Sequence, residues 1–309
     1  MIAQGMDMKL TTLTSDDLPN LTTLCVRCLL YETVSSELLR HTLLQTDDIE
    51  PDIALGLCLN GDLVAAAVGS VNNNEDQRSY QGYIKAVLTD PNYRRRGLAK
   101  LLLLELEERL KARGVSSISI RACRRYLLPG IDVRYSEALC MFDRLGYSRN
   151  GMTFNLEVDL RVQRFNVEER LAHLQQGGIV VRRIGALDRT ALSDYLHATW
   201  GKGWHAEGMA VFNLGREQIP GFIATVGETP IGFAVYDVTR PGWFGPIGTT
   251  EVYRHTGVGG ALLLCCLRDW QEQGRASGEI AAIGPLYFYV TTCSARISRT
   301  FITYHKHIA

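Results

Sequence analysis

The chain has 309 residues, balances 33 Lys and Arg against 33 Asp and Glu, and is 46% hydrophobic and 21% charged. That length suits two domains, each with its own core, and the composition excludes wholesale disorder. Zero net charge argues against a nucleic-acid or anionic-membrane protein held by bulk charge. The longest apolar runs, residues 101–104 and 259–267, fall well short of a membrane helix.

Taken in chain order, residues 1–10 hold an Asp and a Lys and no apolar run of leader length, which reads as a cytoplasmic protein. Residues 9–13 predict a strand, and Asp16 is placed as the N-cap of a helical pattern over 18–30. That pattern contains Cys25-Val-Arg-Cys28, a CxxC with no second ligand pair, so no metal is expected there. Eight cysteines in so long a chain are too sparse for a disulfide scaffold. Residues 53–59 and 63–71 predict strands joined by a hairpin at Asn60-Gly61-Asp62. A strand ending at Thr89 leads to Tyr93-Arg94-Arg95-Arg96-Gly97 and a helix closed by Gly114, then to a strand over 116–122 and a pocket-lining segment, 129–135. A helix from Ser136, a strand over 156–160 and a helix over 165–176 follow. Residues 179–184 open a second series: a cap at Asp188, helices, a loop-rich region holding Trp204 to Glu207, a hairpin of 221–226 and 231–238 turning at 227–230, and a strand over 243–249. Tyr253-Arg254-His255-Thr256-Gly257 then opens a helix closed by Gly274.

The second series repeats the first. Tyr93 and Tyr253, Arg94 and Arg254, Gly97 and Gly257, Ala99 and Gly259, and Gly114 and Gly274 are all separated by one and the same interval. A shared offset at every one of these positions marks an internal duplication, and the element order makes each copy an α/β layered domain. The expected organisation is a domain over 1–160, a linking helix over 161–178 and a domain over 179–309.

The Arg-x-x-Gly-x-Gly/Ala turn sits between a strand and a helix. Glycine there lets the backbone approach a ligand, and free N–H groups at a helix N-terminus form an anion cradle into which a pyrophosphate fits. A Walker loop is excluded because no Gly-Lys-Ser/Thr follows, and a dinucleotide fingerprint because Gly257-x-Gly259 is completed by Leu262.

With this motif on a strand-to-helix turn in both halves, the chain resembles the GNAT N-acetyltransferase superfamily in a tandem two-domain form. The resemblance implies an α/β fold of two GNAT-like domains, each a mixed, mostly antiparallel central sheet with helices on both faces, and acetyl-CoA as cosubstrate. By it, Arg94, Arg95, Arg96, Gly97, Leu98, Ala99 and Lys100 would hold a pyrophosphate in the first half. Arg254, His255, Thr256, Gly257, Val258, Gly259 and Gly260 would do so in the second. Val87, Leu88 and Thr89, and Ile247, Gly248 and Thr249, would pair with the pantetheine.

Acyl transfer to an amine needs an unprotonated nucleophile and a proton for the leaving thiolate. The resemblance places the proton donor on the last helix, where Tyr289 is the candidate and Tyr287 its competitor. In the first half the usual Tyr position is Phe142, which has no proton to give, so the C-terminal half is the expected catalytic one. His205 and Glu207 are candidate bases, with Trp204 beside them. Asp132, Arg134 and Tyr135 are candidate acceptor contacts; Asp132 and Arg134 alternatively pair with each other. The expected partner is a small-molecule amine or a peptide N-terminus, with no nucleic acid and no membrane, and a homodimer is compatible with this reading. The alternative is a non-catalytic acyl-CoA-binding regulatory protein.

Overall fold

The structure, a computed structural model, describes residues 8–44, 53–74, 79–162 and 165–308. The chain divides into two compact units: unit 1 comprises residues 1–152 and 301–309, and unit 2 comprises residues 153–300.

Unit 1 contains β1 (Met8–Thr12), α1 (Leu18–Cys28), α2 (Ser36–Leu39), β2 (Ala54–Leu59), β3 (Asp62–Asn74), β4 (Ser79–Thr89), α3 (Leu98–Lys111), β5 (Val115–Ile120), β6 (Ile131–Asp132), α4 (Ser136–Arg144) and the start of β7 (Ser148–Asp159). Its strands run β1-β2-β3-β4-β5, followed by residues 301–307 of the chain's last strand. All pairs are antiparallel except β4 with β5. The hairpin turns at Asn60 and Gly61, whose φ values of 51° and 92° match a primed turn and the right-handed twist of its strands. Strand alternation splits the sheet between two cores. Ala65 and Ala67 of β3 face α3 residues Leu102, Leu103 and Leu106, while Ala66 and Val68 join α1 residues Leu21 and Leu24.

Unit 2 takes the end of β7, then α5 (Glu168–Gln176), β8 (Ile179–Arg183), α6 (Arg189–Met209), β9 (Gly221–Val226), β10 (Thr229–Tyr236), β11 (Trp243–Thr249), α7 (Val258–Glu272), β12 (Ser277–Ile280), α8 (Leu286–Cys293) and the start of β13 (Arg296–His307). The order is β8-β9-β10-β11-β12-β7, again with one parallel pair, β11 with β12. Ala234 and Tyr236 pack with α7 on one face, and Phe233 and Val235 with Leu192 and Leu196 of α6 on the other.

The expected boundaries differ from these units. Residues 153–159 of β7 pair with β12, and residues 301–307 of β13 pair with β5 and β6, so each copy's last strand completes the other unit's sheet. Phe301 and Tyr304 are fully buried in unit 1, which stabilises it by about 2–3 kcal/mol each. Lys306 Nζ meets Glu107 there at 2.7 Å, beside a 2.8 Å bond from Tyr147 Oη to the same carboxylate. A strand at the end of a sequence carries no mark of which sheet it will join. Nor does α5 stand apart as a linking helix: it packs on β8 and α7 inside unit 2, with Leu174 in its core.

Two local expectations also change. Pro230 stands on β10 beside an irregularity in its pairing with β9, leaving Gly227 and Glu228 as the turn. Residues 204–207 are helical: α6 continues to Met209 across a kink at Gly201, where φ is 73° and ψ 179°. Gly201, Gly203 and Gly208 each weaken the intrinsic helix preference of this stretch. Packing overrides that local preference, since a Cβ at Gly208 would lie only 2.6 Å from Leu196.

Candidate active site

Both sheets open beside the motif. In unit 1 the parallel pairing of β4 with β5 stops at Tyr83 and Ser119, although β4 continues to Thr89. In unit 2, β11 pairs with β12 only at Trp243 and Phe244 and runs on to Thr249. The strands therefore splay, and Val87, Leu88 and Thr89, like Ile247, Gly248 and Thr249, lie in the stretch left unpaired on that side. An extended ligand can hydrogen-bond to such an edge as a strand would.

The cradle follows at the strand's end, and the two copies agree in backbone detail. Arg95 and His255, both non-glycine, take φ of 64° and 66°, and Gly97 and Gly257 take 82° and 96°. Alternation of left-handed residues turns successive N–H groups to one side, as in anion-binding nests. The first amides bonded back to the turn are Leu101 N–H to Gly97 and Ala261 N–H to Gly257, both at 3.0 Å. The first-turn amides of Leu98, Ala99 and Lys100, and of Val258, Gly259 and Gly260, therefore face the cradle's end of each helix. A Cβ at Gly97 or Gly257 would meet no atom within 4 Å, so the space in front of each is open.

The arginines divide between shaping the loop and facing outward. Arg94 Nε donates to Thr89 C=O at 3.3 Å, and Arg254 Nε to Thr249 C=O at 3.4 Å, closing each turn in the same way. Arg96 donates to Asn92 C=O and lies over the Tyr93 ring, while Arg95 is exposed. In unit 2 the cradle also borders a cavity of about 340 Å³ lined by Glu169, Arg170, His173, His255, Thr256 and Gly257 among others. Arg170 Nη1 lies 3.3 Å from where a Cβ on Gly260 would sit, above the first turn of α7. Nothing in the sequence signals Arg170 and His173: they share one face of a helix far upstream of the motif, and only the fold brings them to it.

Tyr289 on α8 is 6% exposed, whereas Tyr287 is 81% exposed and points to solvent. Burial raises the Tyr289 hydroxyl well above its usual range, keeping it protonated at neutral pH. Its neighbour Phe288 packs edge-on at 4.9 Å and reaches within 3.6 Å of the Cβ position of Gly259, so α8 abuts the start of α7. Phe142 in unit 1 is buried among Tyr147 and Tyr304.

On the opposite face, α6 carries the other expected residues. Glu207 is raised to about 7 by desolvation. His205 Nε2 and Ser193 Oγ are 2.9 Å apart, and Trp204 stacks on Trp200 at 4.8 Å. In unit 1, Asp132 is 1% exposed and bound by Arg134 through Nε and Nη2 at 2.9 and 2.6 Å, so the two groups expected to face an acceptor engage each other. Tyr135 Oη accepts from Tyr31 N–H at 3.3 Å.

The CxxC thiols lie in the core of unit 1. Burial pushes Cys25 up to about 12 and Cys28 to about 11, which keeps both protonated.

Comparison with known proteins agrees with this geometry. Residues 21–128 match the model of the acetyltransferase (GNAT) family. No curated protein matches the chain. Among solved structures, the GCN5-related glucosamine N-acetyltransferase region of a fungal multi-domain GH3 β-N-acetylglucosaminidase aligns over 99% of this chain and 38% of that one, with 14% identity and a TM-score of 0.82. The chain thus spans well under half of that fungal protein. A GCN5-related N-acetyltransferase from Sphaerobacter thermophilus aligns over 97% and 95%, at 15% identity and TM-score 0.69. A tandem GNAT protein from the clavulanic acid biosynthesis pathway aligns over 97% and 98%, at 12% identity and TM-score 0.68. At these identities the structures show the fold. The family match is confined to residues 21–128, and the fold shared with these structures, one of them a tandem GNAT protein, extends over nearly the whole chain. Among the described residues no helix is long and apolar enough to cross a membrane.

Proposed function

We propose that the chain transfers an acetyl group from acetyl-CoA to a primary amine of a small molecule or a protein N-terminus, with unit 2 as the catalytic half. The observation that carries this reading is the company each cradle keeps. Unit 2 has a buried, protonated tyrosine on the helix that abuts the first turn of α7; in unit 1 the family resemblance puts Phe142, which has no proton to give, at the corresponding place.

In this reading the diphosphate lies on the amides of His255 to Gly260, and the pantetheine arm runs along the open edge of Ile247, Gly248 and Thr249. Glu207, raised to about 7, takes a proton from the acceptor ammonium. The freed amine attacks the thioester carbonyl, forming the C–N bond. Collapse of the tetrahedral intermediate breaks the C–S bond, Tyr289 donates its proton to the departing thiolate, and the proton released by the acylated nitrogen restores the Tyr289 hydroxyl. Arg170 adds positive charge for the nucleotide phosphates, and His173 offers a ring nitrogen beside it. All eight cysteines are free of disulfides, which fits the cytoplasm in which we place the reaction.

A second role is favoured for unit 1. It has the same cradle and splayed strand but no tyrosine at Phe142, and we assign it acyl-CoA binding without turnover. Calorimetric titration with acetyl-CoA tests both assignments: two sites are expected, reduced to one by Gly97→Glu or by Gly257→Glu. No binding in the unmodified chain would remove the enzyme reading.

A further inference from the structure

The open edge of β11 has an aromatic cover. Gly248 lies in the stretch that β12 leaves unpaired, and a Cβ placed on it would stand 2.6 Å from Cζ2 and 2.7 Å from Cε2 of Trp200. The indole therefore rests on the strand backbone and occupies the space a side chain at 248 would fill. Trp204 stacks behind it with centroids 4.8 Å apart and planes at 25°, and Trp204 in turn meets Phe233 edge-on at 6.2 Å. Phe233 is fully buried in the core under α6. Trp200 is thus backed by two rings and cannot retreat without displacing the core. In unit 1 the residue equivalent to Gly248 is Leu88, which fills its own space and is 2% exposed.

One atom of this wall is unfinished. Trp200 Nε1 is buried and has no hydrogen-bond partner among the described residues. A buried donor left unpaired is costly, and the cost is removed when a ligand oxygen enters beside it.

We propose that Trp200 sets the acyl-chain length accepted by unit 2, closing the slot after an acetyl group and excluding longer chains, with its indole N–H facing the acyl carbonyl. The proposal rests on the reading of Ile247, Gly248 and Thr249 as the thioester edge. Added methylenes have to displace an indole backed by a second indole and by the fully buried Phe233, and close-packed cores resist added volume.

The test uses the full chain with Gly97→Glu, which silences the cradle of unit 1, titrated calorimetrically with acetyl-CoA, butyryl-CoA and free CoA. Acetyl-CoA is expected to bind at least about tenfold more tightly than butyryl-CoA. Trp200→Ala should bring the two within about twofold while leaving free CoA unchanged, because the wall meets only the acyl end. Trp200→Phe, which keeps the fold more safely, should narrow the gap partway. Equal affinities for the two thioesters before mutation, or a gap that survives Trp200→Ala in a protein whose melting curve shows it folded, would overturn the proposal. Absence of binding by all three ligands would instead sink the acyl-CoA reading beneath it.

Discussion

The two units share a backbone and differ in chemistry. Left-handed φ values are 64° at Arg95 and 66° at His255, and 82° at Gly97 and 96° at Gly257. The same arginine closes the same turn on the same threonine carbonyl, and both sheets splay at the same step. The groups projected onto that frame have diverged: Leu88 stands against Gly248 with Trp200, the family resemblance sets Phe142 against Tyr289, and, among the described residues of unit 1, there is no counterpart to the pair of Arg170 and His173 from α5. A site made of main-chain amides survives duplication because it asks little of side chains beyond glycine. Proton transfer depends on single side chains carried by helices, and those are free to change in one copy.

The largest effect expected from breaking this symmetry is at the glycines. Gly257→Glu starts a side chain where a Cβ meets no atom within 4 Å, in front of the cradle proposed to hold the diphosphate. It also forces a side chain onto a φ of 96°, which costs about 1–2 kcal/mol. Acetyl-CoA affinity at unit 2 should fall by at least about a hundredfold, or roughly 3 kcal/mol, while the site in unit 1 is retained. Gly97→Glu should produce the mirror result. A Gly257→Glu protein that titrates like its parent would separate the motif from the ligand.

The next effect is on turnover. Tyr289→Phe removes the hydroxyl proposed to protonate the thiolate, and general-acid loss is worth about 10²–10⁴ in rate. The variant should lower kcat for acetyl transfer by about that factor with CoA affinity unchanged. Phe142→Tyr restores the group in unit 1 and should leave kcat in unit 2 untouched. A Tyr289→Phe enzyme slowed by less than about threefold would return Tyr289 to the core, where its 6% exposure also places it.

What could be read from the sequence divides along the same line. The left-handed turn that opens each motif helix was legible because it needs glycine at fixed spacing, and the constant offset between the copies made Gly97 and Gly257 vouch for each other. Strands β2, β3 and β9 fall close to where alternation and turn residues put them. The exchange of β7 and β13 between units was not legible, since an apolar strand fits either sheet and only long-range packing chooses. Trp204 to Glu207 read as loop because glycines crowd α6. Trp200 carries no local signal at all: its importance lies in a contact with Gly248, on a strand well beyond the end of its own helix.

Glu207 gives a smaller, pH-dependent effect. Desolvation raises it from 4.5 to about 7, so the folded state holds its proton more tightly than the unfolded chain. The sign follows: stability from this group is fully present below about pH 4.5 and is lost as pH rises towards 7 and beyond. Glu207→Gln should therefore melt with its parent at pH 4 and above it at pH 8, the difference being on the order of 1–3 kcal/mol. In turnover the base must be ionised, so kcat should rise through pH 7 in the parent and lose that limb in Glu207→Gln. Identical pH–rate curves would take the base role away from Glu207.

The smallest difference lies at the ends of the motif strands, where each unit ties strand to helix in its own way. In unit 1, Asp90 is buried and accepts from Arg27 Nη1 at 2.9 Å and Asn92 N–H at 2.9 Å. Burial opposes its ionisation, but those donors prevail and hold the carboxyl below its ordinary value. Stability from Asp90 is therefore present above about pH 4 and is lost as pH falls through the lowered value. In unit 2 the same position is Thr250, whose hydroxyl donates to Tyr195 Oη at 3.1 Å, a bond with no carboxylate in it. Asp90→Asn should cost about 1–2 kcal/mol at pH 7, because Arg27 is largely solvated, and progressively less on acidification. Thr250→Val should cost about 1 kcal/mol at every pH. Denaturant titrations of the two variants at pH 7 and pH 3 would show whether the strand ends differ in kind, and a Thr250→Val penalty that varied with pH would mean that an ionisable group beside Tyr195 shares the bond.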